Sequence, residues 1–241
     1  MFHDQIEYEV EAKSFEAWVS ARDSQKKRPC VIIAHAWSGR DSFVEKIAEE
    51  IAELGYVGYA LDVYGKGVLG RNASECSNLM TPLLEQPQSL RKRLHAAYLA
   101  ASNLPYVNAN AIAVIGYCFG GLCALEMHRS VANLRGAVSF HGLLKKAPMS
   151  EGLEISKRCP VLALHGADDP MVSTEDLASF ISEMSANGND WQLHQYGGVK
   201  HAFTNPAARD ESLGTVYNAR ADRRSWELMV SFLKESFSHL S

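Results

Sequence analysis

Apolar runs of strand length alternate with amphipathic segments of helix length along this chain. Residues 5–10 and 15–19 are two partly alternating runs separated by Ala12-Lys13-Ser14, which predicts an N-terminal β-hairpin. Short apolar runs typical of buried strands follow at 29–34, 56–61, 111–115, 136–140, 161–165 and 191–196, the last of which is predicted to be the final strand. Helical patterns fall at 44–54, 88–103, 122–128, 173–184 and 226–237. Strand and helix are thus predicted to alternate after the hairpin.

Repeated strand–helix units predict the fold class. Such units form parallel strand pairs, so we expect an α/β fold with a mostly parallel central sheet and helices on both faces. The first helix is predicted to begin with a capping box made by Ser42 and Glu45 and to end at Gly55. With 241 residues, of which 46% are hydrophobic, the chain is expected to form a single domain over residues 1–241.

The overall charge gives no indication of a polyanionic partner. The formal net charge is -4 and like charges do not cluster, so neither nucleic acid nor an acidic membrane surface is expected as a partner. The N-terminus lacks the basic start and apolar core of an export signal, and no apolar run reaches the roughly 18 residues that span a bilayer. The expected partner is a small neutral or weakly charged molecule.

The cysteines are spaced neither as a zinc site nor as a disulfide framework. They are Cys30, Cys76, Cys118, Cys123 and Cys159. An odd number of thiols fits a reducing compartment, so a cytoplasmic location is expected.

The segment GYCFGG, residues 116–121, joins a predicted strand to a predicted helix. A sharp turn there requires neighbours almost without side chains, which Gly116 and Gly120 supply, and it lifts the side chain of Cys118 clear of the sheet. The pattern G-x-C-x-G therefore indicates a nucleophile elbow with a thiol where serine is usual. The alternative interpretation is an ordinary buried cysteine, since free cysteines are often fully buried.

Later strand ends supply the partners that a catalytic thiol needs. Functional groups gather at the carboxyl ends of parallel strands. His201 follows the predicted last strand in a glycine-led loop and is the preferred base. The sequence HGADDP offers Asp169 as the preferred orienting carboxylate and Asp168 as the alternative. Nucleophile, acid and histidine then occur in the chain order of the α/β-hydrolase arrangement.

Backbone and aromatic groups complete the predicted site. The backbone N–H groups of Phe119 and Trp37 are predicted to form an oxyanion hole, and both side chains are expected to wall the pocket. Tyr64 and Phe203 are further pocket candidates, and each is equally well explained as a structural residue.

The sequence contains no motif typical of a metal or cofactor site. His35, His141 and His165 also fall at predicted strand ends, but they lack the paired spacing and the carboxylate of a zinc hydrolase, so no metal is expected. Neither a P-loop nor a glycine-rich dinucleotide motif occurs, so no cofactor is expected.

These motifs resemble the dienelactone hydrolase family, cysteine-dependent members of the α/β-hydrolase fold. The resemblance covers nearly the whole chain and rests on the Gly39-containing loop, GYCFGG, HGADDP, and HAF after the last strand. It implies a catalytic set of Cys118, Asp169 and His201 and the hydrolysis of ester or lactone bonds through an acyl-enzyme.

Two departures from the family pattern bear on the substrate. Ala36 stands where the family has a glutamate that holds the resting thiol, and Thr204-Asn205-Pro206 stands near the place of a substrate-binding arginine. We therefore expect a thiol-dependent ester or lactone hydrolase whose substrate is not dienelactone itself. The alternatives are an acyltransferase and a non-catalytic ligand-binding protein on a hydrolase scaffold.

Overall fold

The computed structural model describes residues 1–145, 159–186 and 188–238. Within those ranges the strands are β1 (Phe2–Val10), β2 (Lys13–Ala21), β3 (Arg28–Ala34), β4 (Val57–Ala60), β5 (Val107–Tyr117), β6 (Leu134–Phe140), β7 (Val161–Gly166), β8 (Trp191–Tyr196), β9 (Arg209–Asp210) and β10 (Thr215–Val216). The helices are α1 (Ser42–Glu53), α2 (Ala73–Glu85), α3 (Pro87–Ser102), α4 (Phe119–Ser130), α5 (Thr174–Ala186) and α6 (Ala219–Ser238).

Eight strands form one sheet in the order β1-β2-β4-β3-β5-β6-β7-β8. β2 pairs antiparallel with β1 and with β4, and every other pair in this sheet is parallel. This arrangement confirms the predicted α/β fold with a mostly parallel sheet and an N-terminal hairpin. Since parallel strands end at one edge, the loops that follow β3, β5, β7 and β8 meet there.

The core lies on both faces of this sheet. Along β3, Ile32 belongs to the cluster that includes α3 and α4, whereas Val31 and Ile33 belong to the cluster that includes α1 and α6. Successive side chains of a strand point to opposite faces, so a continuous apolar run can be buried only between two helical layers. Helices therefore cover both faces, as the strand–helix pattern predicts.

The turn of the N-terminal hairpin differs from the prediction. Val10 pairs with Lys13, so the turn is the two residues Glu11 and Ala12, with φ of 50° and 62°. Lys13 and Ser14 belong to β2 rather than to the turn. Two-residue hairpin turns of this kind usually contain glycine or asparagine, and neither residue is present to indicate the position.

The start of α1 also differs from the prediction. Asp41 is the N-cap: its side chain accepts a hydrogen bond from the Phe43 N–H at 3.1 Å, and Ser42 is the first helical residue. Glu45 pairs with Arg40 instead of reaching back to the cap. The helix is therefore capped by a carboxylate one residue earlier than the predicted capping box.

One helix and one two-stranded ribbon were missing from the prediction. Helix α2 contains Pro82 and buries little of its surface, chiefly Cys76 and Leu83, so its sequence carries no strong helical period. Strand β8 is followed by the small antiparallel ribbon of β9 and β10, so it is not the last strand. Both missing elements contribute to the site.

Buried charges fix the helix that follows the elbow. The Arg129 guanidinium on α4 donates to Glu126 at 2.9 Å and to Glu183 of α5 at 2.7 Å. Glu126 also accepts from Arg91 of α3 at 2.8 Å. Removing one partner of such a network would leave an uncompensated buried charge, so α4 is held in one position between its neighbours.

The described helices include none with both the length and the apolarity that a membrane span requires.

Candidate active site

Cys118 occupies a strained turn between β5 and α4. Its backbone has φ 56° and ψ -117°, a conformation that side-chain-bearing residues rarely adopt, and its N–H donates to the Phe140 carbonyl at 3.0 Å. A Cβ atom at Gly116 would lie 1.9 Å from the Gly120 carbonyl oxygen, and one at Gly120 would lie 2.1 Å from the Ala34 carbonyl oxygen. Strand and helix thus approach as closely as the glycine spacing predicts, and the partly exposed cysteine stands at the apex.

The two backbone amides predicted for the oxyanion hole make no hydrogen bond to another backbone group in the described part of the chain. The Gly121 N–H is used within the helix, donating to the Cys118 carbonyl at 2.9 Å. Within the described residues, the N–H groups of Phe119 and Trp37 donate to no backbone carbonyl. The Trp37 carbonyl is fixed from behind by the Tyr64 hydroxyl, which donates to it at 3.1 Å. The two amides singled out from the sequence are therefore free to bind an oxyanion.

The structure selects one carboxylate of the HGADDP segment. His201 Nδ1 lies 2.7 Å from Asp169 Oδ2, and both side chains are buried. The other oxygen of Asp169 accepts from the Met171 N–H at 2.8 Å, which fixes the carboxylate. Asp168 is exposed. The geometry thus favours the preferred acid over its alternative.

The ribbon of β9 and β10 holds the histidine in place. The His201 N–H donates to the Gly214 carbonyl at 2.9 Å, and the Val216 N–H donates to the His201 carbonyl at 2.9 Å. The loop after β8 is therefore fixed on both sides of His201 by a segment that the sequence pattern did not reveal.

The imidazole of His201 lies between two acidic groups. Burial by itself lowers the pKa of His201, but the hydrogen bond to Asp169 and the contact with the Cys118 sulfur raise it to about 10. Nε2 is buried and has no well-formed hydrogen bond within the described residues. The free nitrogen is therefore the one available to exchange a proton with the thiol or with a substrate.

Cys118 and His201 open on one cavity of about 350 Å³. Trp37 lines this cavity, as predicted, and so does Tyr117, which was not predicted as a site residue. Further lining residues were also absent from the predicted site. These are Ser38, Asp41, Phe43, Met80, Leu143, Met171, Asn205, Ala208, Leu213 and Thr215. Met80 comes from α2 and Thr215 from β10, the two regions whose elements were missing from the prediction, so no signal in the sequence could have placed them at the site.

Three of the predicted pocket side chains lie behind the cavity instead of lining it. Phe119 is fully buried and stacks on Tyr64, whose hydroxyl donates to the Trp37 carbonyl. Phe203 is also fully buried and meets the edge of His141 with ring centroids 5.1 Å apart. Packing explains all three side chains, which support the residues that reach the cavity.

Of the remaining histidines at strand ends, His35 and His141 have hydrogen-bond partners. His35 accepts from the Val63 N–H at 3.3 Å and lies 2.7 Å from the Ala36 carbonyl, while His141 lies 2.8 Å from the Thr204 hydroxyl. Burial lowers the pKa of His35, His141 and His165, so all three are neutral near pH 7. No three His, Cys, Asp or Glu side chains in the described ranges are grouped as metal ligands.

Comparison with known families decides the identity. The pattern of the Dienelactone hydrolase family matches residues 15–237. The chain belongs to this family. It is therefore a hydrolase of the α/β-hydrolase fold, in the carboxylic ester and lactone class. The family resemblance inferred from the sequence motifs is confirmed.

Several known proteins are similar to this chain over most of its length. An uncharacterized protein of Caenorhabditis elegans is 36% identical over 153 residues, 62% of this chain and 95% of that protein. Carboxymethylenebutenolidase 1 of Cupriavidus pinatubonensis is 27% identical over 206 residues, 80% of this chain and 83% of that protein. A crystal structure described as a dienelactone hydrolase-like promiscuous phosphotriesterase from metagenomic libraries is 30% identical, with TM-score 0.91, covering 98% of this chain and 99% of that one.

The departures of this dienelactone hydrolase family member lie at the cavity itself. Ala36, Thr204 and Asn205 all line it. Among the described lining residues there is neither an arginine nor a lysine. Protonated His201, which is paired with Asp169, is the one cationic group among these described lining residues.

Proposed function

We propose that this family member is a thiol-dependent hydrolase of a small ester or lactone that works through a covalent acyl-enzyme. Cys118 is the nucleophile, His201 carries the proton and Asp169 orients the imidazole. The observation that supports this most is the buried 2.7 Å contact between His201 and Asp169, on a histidine that opens on the same cavity as the Cys118 thiol.

We propose further that Cys118 attacks as a thiolate beside a protonated His201. The neighbouring Asp169 carboxylate and Cys118 sulfur favour the protonated imidazole, since the pKa of His201 rises to about 10 against the effect of burial. Thiolate is the reactive form of cysteine, and the imidazolium beside the sulfur supplies the positive charge that accompanies its attack. His201 is thus the charged partner of the Cys118 sulfur in a family member whose position 36 is alanine.

The reaction proceeds in two halves. Cys118 Sγ attacks the carbonyl carbon, a C–S bond forms, and the C–O bond breaks as His201 gives its proton to the leaving oxygen. Neutral His201 then takes a proton from water, the water oxygen attacks the thioester carbon, and the C–S bond breaks. The carboxylic acid leaves and the ion pair is restored. With a lactone, the leaving oxygen stays attached to the acyl chain and the product is a hydroxy acid.

The oxyanion formed in each half-reaction accepts hydrogen bonds from backbone amides. The Phe119 N–H stands at the N-terminus of α4, where the helix dipole also favours negative charge, and the Trp37 N–H approaches from the loop after β3. Both donors are main-chain groups, so side-chain substitutions at these positions test packing and not the oxyanion hole.

Trapping the acyl-enzyme tests the proposed function. Wild type and Cys118→Ser are exposed briefly to p-nitrophenyl acetate, to small lactones and to a neutral phosphotriester, the substrate class named for the solved metagenomic relative. Intact mass and peptide mapping locate the adduct, and released product is followed in parallel. We expect an acyl group on Cys118 in wild type alone. Turnover of the wild type with no adduct on Cys118, and at equal rate in the variant, contradicts the mechanism.

The same experiment separates the alternatives. An acyltransferase gives an ester or amide of an added acceptor instead of the free acid. A non-catalytic binding protein gives neither adduct nor product, although a bulky thiol reagent still labels Cys118. We favour hydrolysis because Cys118, Asp169 and His201 occur in the chain order of the family and because the histidine and the acid are in contact. The requirement for a reduced thiol leads us to propose the cytoplasm as the compartment.

The pH dependence of kcat/KM is expected to report the pair of His201 and Asp169. The imidazolium that protonates the leaving oxygen is lost as the pH rises through the pKa of His201, about 10, so activity declines on that side. Asp169→Asn removes the carboxylate that raises this pKa. We expect the alkaline decline to move to lower pH by about 1 unit or more and kcat/KM at pH 7 to fall about tenfold or more.

The matched control for this prediction is Asp168→Asn, the same change at the exposed neighbouring position. It is expected to keep the wild-type pH profile. The role of Asp169 would be refuted by an Asp169→Asn profile that coincides with that of wild type, or by an equal shift in both variants.

A further inference from the structure

The wall of the catalytic cavity carries one carboxylate that the proposed mechanism does not use. Asp41 lines the cavity and caps α1. Its two oxygens accept from neutral donors, the Phe43 N–H at 3.1 Å and the Ser38 hydroxyl at 2.9 Å. A carboxylate has about four acceptor positions, so these two bonds leave Asp41 capacity for a ligand.

The cations near Asp41 are neutralised by other groups. Arg40, the preceding residue, donates to Glu16 at 2.8 Å and also pairs with Glu45. No arginine or lysine occurs among the described lining residues, and His141 is neutral because burial and the neighbouring His201 lower its pKa. Protonated His201 also lines the cavity, but its charge is balanced by the Asp169 carboxylate 2.7 Å away. The N-terminus of α1 offsets about half of the Asp41 charge, because the helix dipole places about half a positive charge there. The remaining negative charge contributes to the electrostatic potential in the cavity.

Three aromatic residues also line the catalytic cavity. Trp37, Phe43 and Tyr117 line the cavity together with Asp41. The faces of aromatic rings carry negative potential, and they attract quaternary ammonium groups and other organic cations. The Asp41 carboxylate and the aromatic rings therefore both favour binding of a cationic molecule.

We propose that Asp41, with Trp37, Phe43 and Tyr117, makes this cavity select esters or lactones that bear an ammonium group over neutral ones, and neutral ones over those that bear a carboxylate. The selection concerns the same thiol-dependent site and so rests on the proposed function. Two charges several ångströms apart in a partly buried site interact strongly enough to change kcat/KM by about tenfold or more.

A matched series of three p-nitrophenyl esters tests the selection. The acyl groups are γ-trimethylammonio-butyrate, its tert-butyl analogue in which carbon replaces nitrogen, and the glutarate half-ester, which have similar chain lengths. The wild-type enzyme is expected to hydrolyse the cationic ester with kcat/KM about tenfold or more above that of the anionic ester, with the neutral ester between them.

Asp41→Asn isolates the charge from the cap. Asparagine caps helices as well as aspartate does, so the hydrogen bond to the Phe43 N–H can be kept while the charge is removed. The ratio of cationic to anionic kcat/KM is expected to fall about tenfold. Asp41→Ser also supplies a capping oxygen without the charge, and the same fall in the ratio of cationic to anionic kcat/KM is expected for it. Comparing ratios within each variant cancels any loss common to all three esters.

Asp190→Asn provides the control for net charge. Asp190 is exposed and directly precedes β8, so it lies at the edge of the sheet opposite the cavity. The ratio of cationic to anionic kcat/KM in Asp190→Asn is expected to equal that of wild type. The selectivity proposal is overturned if the ratio of cationic to anionic kcat/KM in Asp41→Asn and Asp41→Ser stays within twofold of the wild-type ratio. Cys118-dependent turnover of the neutral ester would still support the proposed function in that case. If wild type turns over none of the three esters and forms no adduct, the proposed function and this inference both fail.

Discussion

Cys118→Ala is expected to lower kcat/KM for any ester or lactone substrate by about a thousandfold or more. The methyl group cannot form the C–S bond, and no other thiol reaches the carbonyl carbon, since Cys30, Cys76, Cys123 and Cys159 are all buried. The fold should be unaffected, because alanine removes only the sulfur from a partly exposed side chain. Steady-state kinetics with matched circular dichroism measure the effect.

Cys118→Ser sharpens the same test. Serine keeps a hydroxyl at the apex of the elbow but loses the acidic sulfur that helps to raise the pKa of His201. A hydroxyl is far less acidic than a thiol and so forms the attacking anion less readily, and turnover is expected to remain low. Cys76→Ala, which removes a buried thiol from α2, is the control and should behave as wild type. Equal activity of wild type and Cys118→Ala would refute thiol catalysis.

Gly120→Ala is expected to have the largest effect on stability. The added methyl group would lie 2.1 Å from the Ala34 carbonyl oxygen and 2.7 Å from that of His35. Both are backbone atoms at the end of β3, which is fixed between β4 and β5, so neither can move aside. We expect a loss of about 3 kcal/mol or more in the free energy of unfolding. For a chain of this size that corresponds to a Tm lower by about 10 °C.

Gly197→Ala is the matched control for this substitution. A Cβ atom at Gly197 would meet no heavy atom within 4 Å, so the same change is expected to alter stability by about 0.5 kcal/mol or less. Thermal unfolding of the two variants beside wild type measures the difference. A Tm of Gly120→Ala within about 2 °C of wild type would show that strand and helix can separate at the elbow, against the close approach described above.

Local sequence was informative wherever a periodic or steric requirement acts over a few residues. The β-branched run before Gly116 can be buried only in a central strand, and the glycines around Cys118 are needed wherever strand and helix approach so closely. These requirements are strong enough to predict the elbow and the parallel sheet. The order of Cys118, Asp169 and His201 along the chain then matched a family that the comparison confirms.

Other features could not be predicted because their signals are weak or shared. The turn at Glu11 and Ala12 adopts positive φ without glycine or asparagine, and α2 contains Pro82. The N-cap of α1 was placed one residue late, since Asp41 and Ser42 are both good capping residues and sequence does not rank them reliably. Short elements such as β9 have too few residues to show a period.

From the amino-acid sequence one can infer the alternation of strands and helices, the thiol at a glycine-flanked turn, and the edge of the sheet at which the functional residues gather. Each of these follows from a requirement that acts between near neighbours in the chain. Three-dimensional packing was needed to show that Asp169 and not Asp168 contacts His201, that Asp41 lines the cavity, and that Tyr64 lies behind it. Adjacent loop side chains point in different directions, and which of them meets a group far along the chain depends on the backbone path of both segments.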